Sequence, residues 1–184
     1  MINTDKIILD LCGGTGAWSK PYQDAGYDVR LVTLPEQDVR TYQPPKNVYG
    51  ILFAMPCTHF SVSGARWWRE KDTDGRTLID TQILTAGLMI IIKSKPFFWT
   101  IEQPIGRMNR WLGKPVMYFH PYEYGDPYTK KTALWGVFNV PVKHTVEPTE
   151  GSKIWRIPPS PNRAMLRSIT PPGFAQAFFE ANRL

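Results

Sequence analysis

The sequence predicts an α/β domain with a mostly parallel, twisted sheet flanked by helices, and three observations predict it. Short apolar runs of strand length alternate with helix-like segments through residues 6–102, the order of βαβ units. The first run turns directly into a glycine-rich stretch, Cys12-Gly13-Gly14-Thr15-Gly16. Chain-breaking residues fall between the runs, at Gly26, Pro35, Pro44-Pro45 and Pro96.

Residues 6–11 read as a buried strand and residues 18–25 as a short helix closed by Gly26. A second strand follows at 28–33, with Pro35 and Asp38 just beyond it. The Pro44-Pro45 pair breaks the chain before a third strand at 49–54. Residues 66–76 are polar and hold Asp72, Thr73 and Asp74 as candidate N-caps. From 77 to 93, Leu78, Ile79, Ile83, Ala86, Gly87 and Ile90 recur at helical spacing. Lys95-Pro96 ends that helix, and residues 97–101 form another strand, closing on Glu102. Beyond Met108 the chain is rich in proline, tyrosine and tryptophan. There, residues 118–122 and 132–138 read as short strands and 172–182 as a closing helix. No repeat, low-complexity tract or linker divides the chain, so residues 1–184 are expected to form a single domain.

With 42% hydrophobic and 21% charged residues, the composition is that of a globular protein and excludes a disordered tail. The two cysteines, Cys12 and Cys57, stand in separate contexts, which argues against a disulfide framework and for a reducing cytoplasm. The longest apolar run, 84–92, is too short to span a bilayer, and no signal-peptide pattern opens the chain. A soluble cytoplasmic protein without a membrane partner is expected. The net charge of +6 favours a polyanionic partner. Arg66, Trp67, Trp68, Arg69 and Lys71 interleave base-stacking aromatics with phosphate-seeking cations; core packing is the competing role for the two tryptophans.

Residues 49–64 carry the most chemistry. The apolar run 51–54 ends abruptly at Pro56-Cys57, and ligands of open α/β sheets collect beyond the carboxyl ends of strands. Cys57 therefore has the placement of a nucleophile, against the alternative of a small buried hydrophobe. Glu102 stands behind the largely apolar and aromatic run 97–101; partial burial would raise its pKa and suit it to donate a proton near neutrality. Its alternative is a carboxylate that caps a turn. The glycine turn after the first strand lets the backbone approach a nucleotide-like cofactor, with Asp10 orienting polar groups, or else it is a tight structural turn. Asp38 suits an adenine amino group or is an exposed loop acid. No metal site is expected.

Taken in order, Asp10-Leu11-Cys12-Gly13-Gly14-Thr15-Gly16, Asp24-Ala25-Gly26-Tyr27, Asp38-Val39, Pro56-Cys57-Thr58-His59-Phe60-Ser61-Val62-Ser63-Gly64 and Ile101-Glu102-Gln103-Pro104 resemble the S-adenosylmethionine-dependent cytosine-5 methyltransferases. The match is close over residues 56–66. The resemblance implies a Rossmann-like class I methyltransferase fold, with S-adenosylmethionine as cofactor and a flipped-out cytosine of DNA as acceptor. It implies that Cys57 attacks carbon 6 of cytosine while Glu102 holds nitrogen 3 and the exocyclic amine. Asp10, Cys12, Gly13, Gly14, Gly16 and Pro56 would line the cofactor, with Asp38 at its adenine. Phe60, Ser61, Arg66, Lys130 and Lys131 would hold the substrate.

Two departures stand out. Tyr124-Gly125-Asp126-Pro127-Tyr128-Thr129-Lys130-Lys131-Thr132 occupies the place of the family's Gln-x-Arg-x-Arg segment, and the arginines are absent. Lysine lacks their bidentate fork, and a solvated lysine pair is the competing reading. Only residues 139–167 are available for target recognition, enough for a loop or small hairpin. A compact, phage-like enzyme of low sequence preference is implied, or one whose specificity a partner protein supplies. Two further readings stay open: the same chemistry on RNA or a free cytidine nucleotide, and a catalytically silent module that binds nucleic acid or cofactor.

Overall fold

A computed structural model describes residues 3–183. Its sheet has six strands: β1 (Ile7–Leu11), β2 (Asp28–Val32), β3 (Val48–Phe53), β4 (Phe98–Pro104), β5 (Met117–Phe119) and β6 (Thr132–Val137). They lie in the order β2-β1-β3-β4-β6-β5. The first four are mutually parallel, and β6 runs antiparallel between β4 and β5. This is the mostly parallel, Rossmann-like α/β arrangement that the sequence predicts. β1 and β3 are buried along their whole length, which is why they read as continuous apolar runs rather than alternating ones.

Two apolar layers cover the sheet. On one face α3 (Arg76–Ser94) lays Leu84, Gly87, Ile90 and Ile91 against the strands; Gly87 is required because a Cβ there would meet the Phe53 ring at 2.0 Å. On the other face α1 (Lys20–Asp24) and the closing helix α6 (Pro172–Asn182) enclose Trp18, Tyr22, Phe98, Phe119 and Phe174. Phe119 and Phe174 stack there at 3.8 Å between ring centroids. Asp126 fixes the start of α6 by accepting the Gly173 N–H at 2.9 Å.

Several boundaries differ from expectation. The polar stretch 66–76 is largely helical: a 3-10 helix (Val62–Trp67) runs into α2 (Trp68–Thr73), and Gly75, at φ 83°, is the N-cap of α3. The expected cap Asp74 contributes only its carboxylate, which accepts the Arg76 N–H. Two short helices were not foreseen, α4 (Asn109–Leu112) and α5 (Arg163–Ser168), because neither is long enough to show a helical period. The run 84–92 belongs to a longer apolar helix than its core suggested. α3 has the length and composition to cross a membrane. Its inner face nevertheless packs on the sheet between parallel β3 and β4, as a crossover helix does.

Candidate active site

Strand pleat decides which functional side chains meet. Asp10 lies two residues after Ile8 on β1, and Glu102 lies four after Phe98 on β4. Ile8 and Phe98 both pack in the α1/α6 layer, so both carboxyl groups rise toward that face near the carboxyl edge of the sheet. Glu102 follows the Phe53–Ile101 register pair, level with Ala54, and Cys57 begins the loop just beyond.

Asp10 is fully buried and accepts a 2.6 Å hydrogen bond from the Ser19 hydroxyl at its Oδ2. Its Oδ1 has no partner. Burial lifts the carboxyl to about 6, with the Ser19 hydroxyl acting the other way. The following turn is wrapped on this group: a Cβ on Gly13 would sit 2.1 Å from Asp10 Oδ1. Cys12, Gly14 and Gly16 all take positive φ, and Gly14 faces open space. Burial pushes the Cys12 thiol up to about 12, with Asp10, Asp38 and Asp80 adding to the shift, so this cysteine stays a neutral wall of the turn.

Asp38 is less free than expected. Arg40 Nε donates to both its oxygens, at 2.9 and 3.0 Å, and the Arg40 N–H donates to Oδ1 at 2.9 Å. Those bonds, chiefly to the Arg40 side chain, hold the carboxyl below its ordinary value. An adenine would have to share the carboxylate with Arg40 or displace it.

The Cys57 loop is clamped from four directions. The Phe60 and Ser61 N–H groups donate to the Cys57 carbonyl at 3.0 and 2.9 Å. Lys71 donates to the Thr58 carbonyl at 2.8 Å, Arg107 Nε to the His59 carbonyl at 3.0 Å, and the Arg107 N–H to the Phe60 carbonyl at 2.9 Å. Arg107 is itself held in a fork on Asp72 at 2.7 Å for both bonds. Gly106 completes the clamp, since a Cβ there would lie 1.9 Å from the Phe60 carbonyl oxygen. Pairing of His59 Nδ1 with buried Asp80 fixes the loop onto α3.

Cys57 itself is half-buried. Burial and the neighbouring Glu102 push its thiol up, while Lys130 and Arg167 pull it back down. Glu102 still touches solvent but is crowded by protein; burial raises its pKa and Lys130 opposes the rise. Thiol, carboxyl, Lys130 and Arg167 thus share one electrostatic environment. Consecutive residues of an extended chain point to opposite sides, and the two lysines separate accordingly. Lys130 donates to the Arg167 carbonyl at 3.1 Å and its charge acts on Cys57 and Glu102, while Lys131 lies over the Tyr118 ring, 5.1 Å from its centroid.

Other candidates fall elsewhere. Phe60 is buried edge-on against Trp111, so its ring belongs to the floor of the loop. The Ser61 hydroxyl accepts the Ser63 N–H and caps the 3-10 helix. Pro56 is exposed at the rim. Arg66 covers exposed Trp67 beside a shallow groove that also includes Arg69, Glu70, Thr73 and Asp74, but neither Cys57 nor Glu102. Arg167 was missed, because a lone arginine in a proline-rich stretch gives no local signal. Among the described residues, no group of three His, Cys, Asp or Glu could hold a metal ion.

Among solved structures, a candidate DNA modification methyltransferase encoded within a prophage (E. coli) matches with a TM-score of 0.49 and 18% identity, over 71% of this chain and 46% of its own. This chain therefore spans about half the length of that neighbour. A DhpI–SAM–HEP complex matches with a TM-score of 0.32 and 12% identity, over 80% of this chain and 67% of its own. No family model matches the chain, and no curated protein matches it at a significant level. Such distant likenesses say nothing of activity, and the fold assignment rests on strand order and direction.

Proposed function

We propose that this chain transfers a methyl group from S-adenosylmethionine to carbon 5 of cytosine in DNA, through a covalent adduct with Cys57. One observation carries the reading: a clamped thiol and a crowded carboxyl, Cys57 and Glu102, stand beyond the carboxyl ends of adjacent parallel strands, and the positive charge of Lys130 lowers the pKa of both.

The glycine turn suits the cofactor. Asp10 Oδ1 is a buried acceptor without a partner, Gly13 is pressed onto the carboxylate, and Gly14 faces open space. Asp10, Cys12, Gly13, Gly14, Gly16 and Pro56 would hold S-adenosylmethionine, with Asp38 at the adenine. When bound, it supplies an electrophilic methyl group. The residues of the chain do the rest. Cys57, as thiolate, adds to carbon 6 of the ring; the displaced electron pair moves toward nitrogen 3, where Glu102 holds a proton. Carbon 5 thereby becomes the nucleophile that takes the methyl group. Solvent takes the carbon 5 proton, Glu102 takes back its proton from nitrogen 3, and expulsion of the thiolate restores the aromatic ring. Lys130 holds the negative charge of this site in balance, and the clamped loop keeps Cys57 at one position throughout.

Trapping on an oligodeoxynucleotide that carries 5-fluorocytosine tests the reading. Wild type with S-adenosylmethionine should form an adduct that survives denaturation, and Cys57→Ser should form none. Adducts on RNA or a free cytidine nucleotide alone would move the acceptor; failure on every substrate would leave a silent binding module.

A further inference from the structure

Residues 151–168 leave and return to the same place. At the start, the Thr129 N–H donates to the Gly151 carbonyl at 2.8 Å, the Thr129 and Ser152 hydroxyls meet at 3.1 Å, and Lys153 lies over the Tyr128 ring at 4.3 Å. At the end, Lys130 Nζ donates to the Arg167 carbonyl at 3.1 Å. Both feet of the excursion therefore stand on residues 128–130, the stretch that carries Lys130, whose charge acts on Cys57. The segment forms a flap rooted at the site.

Its chemistry is one-sided. It contains Lys153, Arg156, Arg163 and Arg167 and no carboxylate; Lys153 is paired with Glu150 just before the segment, and the three arginines are in no salt bridge among the described residues. Trp155 is 55% exposed, and its ring carries the Arg167 guanidinium 4.8 Å from its centroid. An indole backed by a guanidinium offers a stacking face and a phosphate donor together. Bare apolar docking would not call for four cations, and a protein partner would have to present a matching acidic face.

We propose that this flap is a nucleic-acid clamp, in which Trp155 stacks a base of the substrate strand and Arg167 binds a phosphate beside the nucleotide held at Cys57. This rests on the nucleic-acid reading of the Cys57 site. Stacking and phosphate contacts carry little sequence information, so a clamp of this kind holds any strand and selects weakly among cytosines.

The test is fluorescence anisotropy of the full-length protein with a short fluorescein-labelled, cytosine-containing single-stranded oligodeoxynucleotide, titrated across a range of salt. Arg167→Ala should weaken binding about tenfold and reduce the magnitude of the log–log salt slope by roughly 0.7, the loss of one phosphate contact. Trp155→Ala should weaken it about tenfold with the slope unchanged. Arg167→Lys and Trp155→Phe keep the charge and the ring, and should recover most of the affinity. Alanine variants that bind within about twofold of wild type would overturn the clamp. So would conservative variants that bind as poorly as the alanine ones, since the losses would then come from a collapsed flap. Adduct trapping on the same oligonucleotide keeps the two readings apart: no adduct despite the expected binding losses removes the methyl-transfer reading and leaves the clamp, and the reverse pattern does the opposite.

Discussion

Asp10 shows how burial and chemistry pull against each other at one residue. Its folded pKa, about 6, lies above its unfolded value of 3.8. Below about pH 4 the carboxyl is protonated in both states and costs nothing; ionising it inside the fold removes stability as pH rises through about 6. Asp10→Asn keeps an acceptor for Ser19 and should raise the melting temperature at pH 8, by up to about 3 kcal/mol of stability, with the gain gone at pH 4. Melts at the two pH values read this directly, and calorimetry with S-adenosylmethionine should show weaker binding by the same variant. Glu102 supports a second prediction, one in which two effects have opposite signs. Its charge pushes the Cys57 thiol up, so Glu102→Gln should speed alkylation of Cys57 by iodoacetamide at pH 8. The same change should slow methyl transfer by about 10²–10⁴, the usual worth of a general acid. A variant slower in both would mean that Glu102 only supports the loop.

Among the elements, the Cys57 loop depends on α2 and on the segment after β4. Arg107 reaches 35 residues back to Asp72, and it also binds the Thr77 hydroxyl and the His59 carbonyl. Arg107→Ala should cost about 2–3 kcal/mol, since it strands buried acceptors and unpins α2. Hydrogen exchange should locate the loosening at residues 57–61. Arg107 is also the main reason that the Asp72 carboxyl sits at about 2, below its ordinary 3.8. That contribution is present above about pH 4 and lost as pH falls toward 2, so the variant should flatten the acid limb of the stability profile. The sequence showed residues 66–76 as a polar stretch with N-cap residues and no more. A helical α2 became legible only with Arg107 in place, because the ion pair that holds it joins distant parts of the chain.

At the scale of the whole molecule, α6 ties the carboxyl end of the chain to the first helix and to the strand pair β5–β6. Phe174 is fully buried, stacked on Phe119 and flanked by Trp18 and Tyr124. Phe174→Ala should destabilise the domain by about 3–5 kcal/mol, measured by denaturant unfolding, because the cavity would open between α6 and the sheet. The net charge of +6 is a property of this scale too, but its distribution is not. Around α2, Arg76 is paired with Glu70 and Asp74, which dilutes the basic patch expected there. In residues 151–168, Lys153 is paired with Glu150, while Arg156, Arg163 and Arg167 are in no salt bridge among the described residues.

Composition, apolar runs and turn residues by themselves determined β1 to β4, α3, α6 and the position of Cys57 beyond a strand end. These are features of local period and chain-breaking chemistry, which a linear pattern records faithfully. Tertiary structure decided which charges share the site. It set Lys130 on the Arg167 carbonyl and Lys131 on Tyr118, occupied Asp38 with Arg40, put the Phe60 ring beneath the loop, and let the charge of Arg167 act on a cysteine more than a hundred residues away in sequence. The physical reason is that strand pleat and loop closure set where a side chain points, and neither is encoded in the residues next to it.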